Sequence, residues 1–340
     1  MDSLTQLVFG AAVGAAVMGR RAGARAFVWG GIAGTLPDLD VVIPFDNAVA
    51  SFTYHRGASH ALAFLSVAAV LLAAAADRLH QDRCGRAFGG WFAAFWLVLI
   101  SHALLDAFTI YGTQLLLPFS DYPVGLGSIF IIDLLYTLPV AVGLVGALIG
   151  RRCWRRARRW NLAGLALGAA YLGWSVIAQQ QAEAAGQRAL ARADLDVNGL
   201  LATPTPFNTV LWRLVAVGDD AYYEGFYRID GALPVRWQRY TRAPELLQGI
   251  GEGWAVQRLA AFTKGFYAVT AEGQRVVITD LRMGQAPYYA FRFQVGERHG
   301  GITRPVVSRR LEQQRPSLAV VVQELVACGS GWPTRYIACR

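Results

Sequence analysis

The chain has 340 residues, of which 54% are hydrophobic and only 16% charged, and its mean hydropathy is +0.33. That balance excludes an ordinary soluble protein; long apolar runs in the first 180 residues, followed by a polar and aromatic mixture, describe a membrane protein with a water-exposed appendage. The net charge of +9 does not signal nucleic-acid binding, because the excess lies in short arginine-rich loops between apolar runs, where topology determinants and anionic-lipid contacts belong.

Six apolar segments follow one another at roughly 4–18, 26–43, 60–76, 89–110, 128–149 and 161–178. The first begins at Leu4 behind Asp2, and its positive residues Arg20, Arg21 and Arg25 come after it. This order does not fit a cleavable leader, so the segment is expected to stay attached with its N-terminus outside. The first two segments are short and glycine-rich. Gly10-x-x-x-Gly14 and Gly30-x-x-x-Gly34 allow two helix backbones to approach in a tight hairpin, either spanning the bilayer or sitting partly within the protein. The last four segments approach the ~20 residues that a span requires. Loops 19–25, 77–88 and 151–160 contain three, three and six arginines, whereas loops 44–58 and 111–127 contain one between them, Arg56. In an alternating topology all three basic loops face the cytoplasm.

Segment six then delivers a helical, Ala/Gln-rich stretch to the outer face. From about 205 the pattern becomes alternating strands. Leu211–Val217 and Tyr222–Ile229 form one expected hairpin, 265–271 and 275–281 a second, and Glu252–Phe262 a helix between them. The expected organisation is a membrane α-helical bundle over 1–178, a helical linker over 179–200 and an extracytoplasmic soluble α+β module over 201–340. Cys84 and Cys153 fall in cytoplasmic loops. Cys328 and Cys339 fall outside, where a disulfide is permitted and two unpaired thiols are the alternative.

The chemistry-bearing residues collect at the outer ends of the segments. His102 and Asp106 are four apart in a helix, on one face, able to share a metal ion or simply to hydrogen-bond. Asp38 and Asp40 follow Pro37 at a broken helix end, and His55 and His60 flank a loop-to-helix junction where Ser59 can cap the helix. Asp133 lies inside segment five near the same face, as a functional acid or as the partner of a cation such as Arg56. Buried imidazoles and carboxylates cost free energy, and a bound divalent metal is one of the few things that offsets it. His80 and His299 read as surface residues.

At these residues the chain resembles the YdjM-like family of bacterial inner-membrane proteins, described as membrane-bound metal-dependent hydrolases. The resemblance runs from Met1–Thr5, Gly10 and Gly14 through Leu36-Pro-Asp-Leu-Asp40, His55-Arg-Gly-x-Ser-His60, Ser101-His-x-x-x-Asp106 with Tyr111-Gly-Thr113, to Ile132-Asp133, roughly residues 1–150. Where family members often have His after the early threonine, this chain has Gln6. A further similarity to zinc-dependent phospholipases C, at the level of fold analogy, implies that Asp38, Asp40, His55, His60, His102 and Asp106 hold one or two ions, zinc or else manganese. It also implies that Arg56 neutralises charge on a phosphoester while Asp40 or Asp133 orients the nucleophile. The implied partner is membrane lipid, the implied substrate a phospholipid or other envelope phosphoester at the outer face of the inner membrane. The other reading is a non-catalytic, metal-stabilised envelope protein that binds a partner through its C-terminal module. A transporter would need polar residues through the full membrane depth, and here they gather at one end.

Overall fold

A computed structural model describes residues 1–312, except for the side chains of 82–84; Cys328 and Cys339 lie outside the described residues. The chain divides into two compact units. One comprises Met1–Ile43, Tyr54–Val176 and Pro206–Asn208; the other comprises Pro44–Thr53, Ile177–Thr205 and the chain from Thr209.

The first unit opens with α1 (Ser3–Ala22), whose N-cap Asp2 accepts from the Thr5 backbone N–H, and α2 (Ala24–Thr35). The two cross through their glycines. A methyl group at Gly14 would lie 2.8 Å from Gly30 Cα, and one at Gly34 would lie 3.0 Å from Gly10 Cα, so side chains are excluded and the backbones pack directly. Twelve residues of α-helix span only about 18 Å, and Pro37 stops α2 short of the apolar segment drawn to residue 43. A 3-10 turn, Pro37–Val42, takes over and presents Asp38 and Asp40.

After α3 (Ala48–Tyr54) and a second short turn, Ala58–His60, come α4 (Leu62–Cys84) and α5 (Phe88–Ala107). Leu65, Ala69, Ala73 and Ala76 form a buried stripe on α4, and Trp91, Phe95 and Leu99 of α5 belong to the same core. The small residues let the two helices approach closely. Segment five is helical only from Leu134, in α6 (Leu134–Ile149), and α7 (Trp154–Arg192) is one 39-residue helix that continues through the stretch read as a linker. Gly143 and Gly164 repeat the close backbone contact between α6 and α7. Among the described residues, four helices are long and apolar enough to cross a membrane: Leu62–Gln81, Phe88–Ala107, Leu134–Arg152 and Trp154–Arg192. Leu71, Val142 and Leu167 on them are exposed, as lipid-facing side chains are. His80 is half-buried rather than a surface residue, and accepts a hydrogen bond from Trp29 Nε1 at 2.8 Å.

The second unit is α+β. Its strands are β1 (Gly199–Pro204), β2 (Leu211–Val217), β3 (Ala221–Arg228), β4 (Gln238–Thr241), β5 (Tyr267–Glu272), β6 (Arg275–Asp280), β7 (Gly284–Gln285), β8 (Tyr288–Tyr289), β9 (Arg292–His299) and β10 (Ile302–Arg310). The helix α8 (Trp254–Phe262) precedes β5. Two antiparallel sheets have the orders β1-β2-β3-β4 and β10-β9-β6-β5. Every residue of β2 is buried, because both of its faces are covered. Trp212 and Leu214 pack with Ala178 and Ala182 of α7, while Val215 and Val217 pack with Ala268 and Leu281. Both expected hairpins and the helix between them are present. Strand β1 occupies the end of the expected linker and the chain's step into the sheet.

Residues 44–53, from the loop between Asp40 and His55, belong to this second unit. Phe52 packs its ring 5.1 Å from Phe262, 4.5 Å from Phe291 and 5.1 Å from Phe293, centre to centre. Asn47 Oδ1 accepts from Ser308 Oγ at 3.0 Å. Removing the buried ring in Phe52→Ala should therefore destabilise the module by about 3–5 kcal/mol. Thermal unfolding in detergent should show that loss and none for Val307→Ala, whose side chain is 72% exposed.

Candidate metal centre

Four residues from three places in the first unit converge. Asp38 comes from the 3-10 turn after α2, His60 from the turn that starts α4, and His102 and Asp106 from successive turns of α5. Their ligand atoms lie within 4.8 Å of one another. His60 Nε2 is 3.2 Å from His102 Nε2, 3.2 Å from Asp106 Oδ2 and 3.5 Å from Asp38 Oδ1. His102 Nε2 is 3.6 Å from Asp38 Oδ1 and 3.8 Å from Asp106 Oδ2. A tetrahedral ion with bonds of ~2.0–2.2 Å separates its ligands by about 3.3–3.6 Å. These five edges of the cluster, 3.2 to 3.8 Å, bracket that size.

The surroundings prepare both imidazoles to be ligands. His102 Nδ1 donates to the Gly34 carbonyl at 2.8 Å, which leaves the Nε2 lone pair facing inward. His60 Nδ1 contacts Ser59 Oγ at 2.9 Å, and its Nε2 faces inward too. Two such lone pairs in contact repel unless a cation or proton lies between them. Asp38 Oδ2 and Asp106 Oδ2 are buried without an aligned hydrogen-bond donor. Asp38 Oδ1 and Asp106 Oδ2, opposite the inward-facing imidazoles, are a donor set that a divalent cation satisfies, and fixing a histidine through its other nitrogen is how metal sites are oriented.

Arg56 is 3% exposed. Its Nε lies 3.2 Å from Asp106 Oδ2, its Nη1 donates to Thr109 Oγ1 at 3.1 Å, and the guanidinium carbon sits 5.0 Å above the Tyr111 ring centre. Its backbone is left-handed at φ +61°, a conformation that costs a non-glycine residue of order 1–3 kcal/mol and gathers at functional sites. Asp106 Oδ1 accepts from Gln6 Nε2 at 3.1 Å and from the Met1 amino nitrogen.

Asp40 and His55, expected among the ligands, form a neighbouring pair outside the four-residue group. Asp40 Oδ2 accepts from the Arg56 N–H at 2.9 Å and from Ser59 Oγ at 2.6 Å, and Asp40 Oδ1 is 2.8 Å from His55 Nδ1. Burial pushes the Asp40 carboxyl up, but His55, Ser59 and the Arg56 N–H outweigh it and hold the group below its ordinary value. Asp38 is likewise pushed up by burial and brought well below its ordinary value by His102 and His60. Burial lowers His60, and the carboxylates of Asp106 and Asp38 more than reverse that. The cluster attracts positive charge.

Asp133 is placed elsewhere. It caps α6, accepting from the backbone N–H groups of Leu135 at 3.0 Å and Tyr136 at 3.2 Å, and from Tyr171 Oη at 2.9 Å. Sequence reasoning marked Gln6 only as standing where family members often have His, and did not assign the Gly34 carbonyl to the site. Gln6 did carry a signal, since Gln6, Gly10 and Gly14 recur every four residues and put a polar side chain on the glycine face. Asp133→Ala should cost about 1–2 kcal/mol of stability as a lost helix cap. Elemental analysis of that variant should find its metal content unchanged, whereas His102→Ala should lose the ion.

The family model described as YdjM inner membrane protein matches residues 1–182. No curated protein and no solved structure matches the chain.

Proposed function

The chain belongs to the YdjM inner membrane protein family, and from that premise we propose a membrane-bound, metal-dependent hydrolase that cleaves a phosphoester, a lipid headgroup by preference. The observation that carries this reading is the convergence of His60, His102, Asp38 and Asp106, whose ligand atoms lie within 4.8 Å of one another. Zinc suits two imidazoles and two carboxylates, and manganese is the alternative. A divalent ion held there supplies a water acidified to a pKa of about 7 and neutralises developing charge.

The chain's own residues do the rest. Gly34 and Ser59 hold the imidazoles in the tautomer that ligation needs. Gln6 keeps Asp106 Oδ1 occupied, so that Oδ2 turns to the cluster. Arg56, already paired with Asp106 and braced by Thr109, provides a fixed positive charge for a phosphoryl oxygen. The arginine loops support an orientation in which Asp38, His60 and Asp106 face the outside of the inner membrane, next to lipid headgroups.

Elemental analysis of the detergent-purified protein, paired with a phosphodiester and phospholipid cleavage screen, tests the proposal. Wild type should carry stoichiometric zinc or manganese and turn over a phosphoester; His102→Ala should lose both. An ion without turnover of any substrate would instead favour a metal-stabilised structural protein. Orientation has a separate measurement: a reporter fused after Arg159 should read cytoplasm, and one at residue 200 the outside.

A further inference from the structure

Among the described residues, His55 differs from the two histidines of the metal cluster in every respect that matters for moving a proton. His60 and His102 are fully buried, whereas the His55 side chain is 27% exposed. Its Nδ1 lies 2.8 Å from Asp40 Oδ1, and that carboxylate is held from its other oxygen by Ser59 Oγ and the Arg56 N–H. The Tyr111 ring stands edge-on at 5.5 Å, at an interplanar angle of 89°. The ring is thus set by the close contact of its Nδ1 with the Asp40 carboxylate, which is not aligned as a hydrogen bond, and by an aromatic wall, with Nε2 the nitrogen left for exchange. Its ring centre is 6.4 Å from that of His60, about the width of a reacting group beside the ligand cluster.

Resting on the hydrolase reading above, we propose that His55 is a general acid for the leaving group, with Asp40 as its positioning residue, and that neither belongs to the metal's ligand set. As the attacking water oxygen bonds to phosphorus it loses a proton to solvent. As the bond from phosphorus to the leaving oxygen breaks, His55 Nε2–H gives its proton to that oxygen. The alcohol departs uncharged, and the exposed imidazole regains a proton from bulk water. The carboxylate fixes the tautomer and stabilises the imidazolium, as in other carboxylate–histidine pairs. A fully buried ligand histidine has no lone pair or water contact to spare for this exchange.

The full chain in detergent is compared with His55→Gln and Asp40→Asn on two substrates, a phosphatidylcholine in mixed micelles and bis(p-nitrophenyl) phosphate. A general acid matters for the alkoxide of the lipid and little for nitrophenolate, which leaves unaided. His55→Gln should therefore lower kcat on the lipid by about 10²-fold or more and on the aryl ester by less than about 10-fold. Metal content and melting temperature should stay at wild-type values. Asp40→Asn should give a smaller loss in the same pattern, in kcat rather than KM, and Asp40→Glu should recover part of it. Loss of the ion from His55→Gln, or equal losses on both substrates, overturns this assignment and leaves the hydrolase reading standing. Absence of turnover by ion-loaded wild type overturns both.

Discussion

Where α1 crosses α2 there is no room for side chains, and a methyl group at Gly14 would come within 2.8 Å of the Gly30 Cα. The position of the cluster follows from that contact. Because the backbones touch, Gly34 at the end of α2 can offer its carbonyl to His102, and Gln6 on α1 can reach Asp106. A side chain at the crossing would move both helices away from α5 and take away the groups that orient His102 and Asp106. A glycine-rich pair in which α2 has only 12 residues is therefore well suited to bring backbone groups to a buried site.

Charge is the second constraint. Asp38, Asp40 and Asp106 are drawn together with His55, His60 and Arg56 in a small volume that is mostly buried. Such groups are tolerated only when nearly every oxygen and nitrogen has a partner. The partners are provided unevenly. Asp40 and Arg56 are braced by Ser59, Thr109 and a backbone N–H. Asp38 Oδ2 and Asp106 Oδ2, like Asp40 Oδ1 and Arg56 Nε, lack an aligned hydrogen-bond partner. The oxygens that face the inward-pointing imidazole nitrogens are Asp38 Oδ1 and Asp106 Oδ2.

Much of this was legible in the sequence. Periodicity and length located the four long helices, and the glycine pairs announced the backbone crossing. Alternation located both hairpins of the module. Counting arginines in loops led to the expectation that the His and Asp residues share one face, and Asp38, His60, His102 and Asp106 do come together. What the sequence could not resolve was the division of labour among them. Asp38 and Asp40 differ by one intervening residue, and only the 3-10 turn, with its roughly three residues per turn, sends one carboxylate toward His60 and His102 and the other toward His55. Asp133 looked functional because an acid inside an apolar run has few excuses. Its explanation is a helix that starts later than the apolar run does, and a start needs a cap. The strands β1, β9 and β10 were invisible for a different reason: β10 is an edge strand rich in arginine with a proline inside it, a composition that protects an edge and hides the alternation.

The loop bearing α3 has a consequence for how the protein is made. Phe52 and Asn47 are synthesised early, yet their partners Phe291, Phe293 and Ser308 emerge only near the end of the described chain, with 261 residues separating Asn47 from Ser308. Contacts so remote in sequence form slowly and cannot form at all until both ends exist. The aromatic core of the module must therefore wait, with its first component already synthesised, while the ribosome completes α5, α6 and α7. During that interval an exposed apolar loop is in search of a partner, a state in which chains are prone to misassociate. A membrane insertion factor or chaperone able to shield residues 44–53 would then matter more to this protein's yield than to its finished stability.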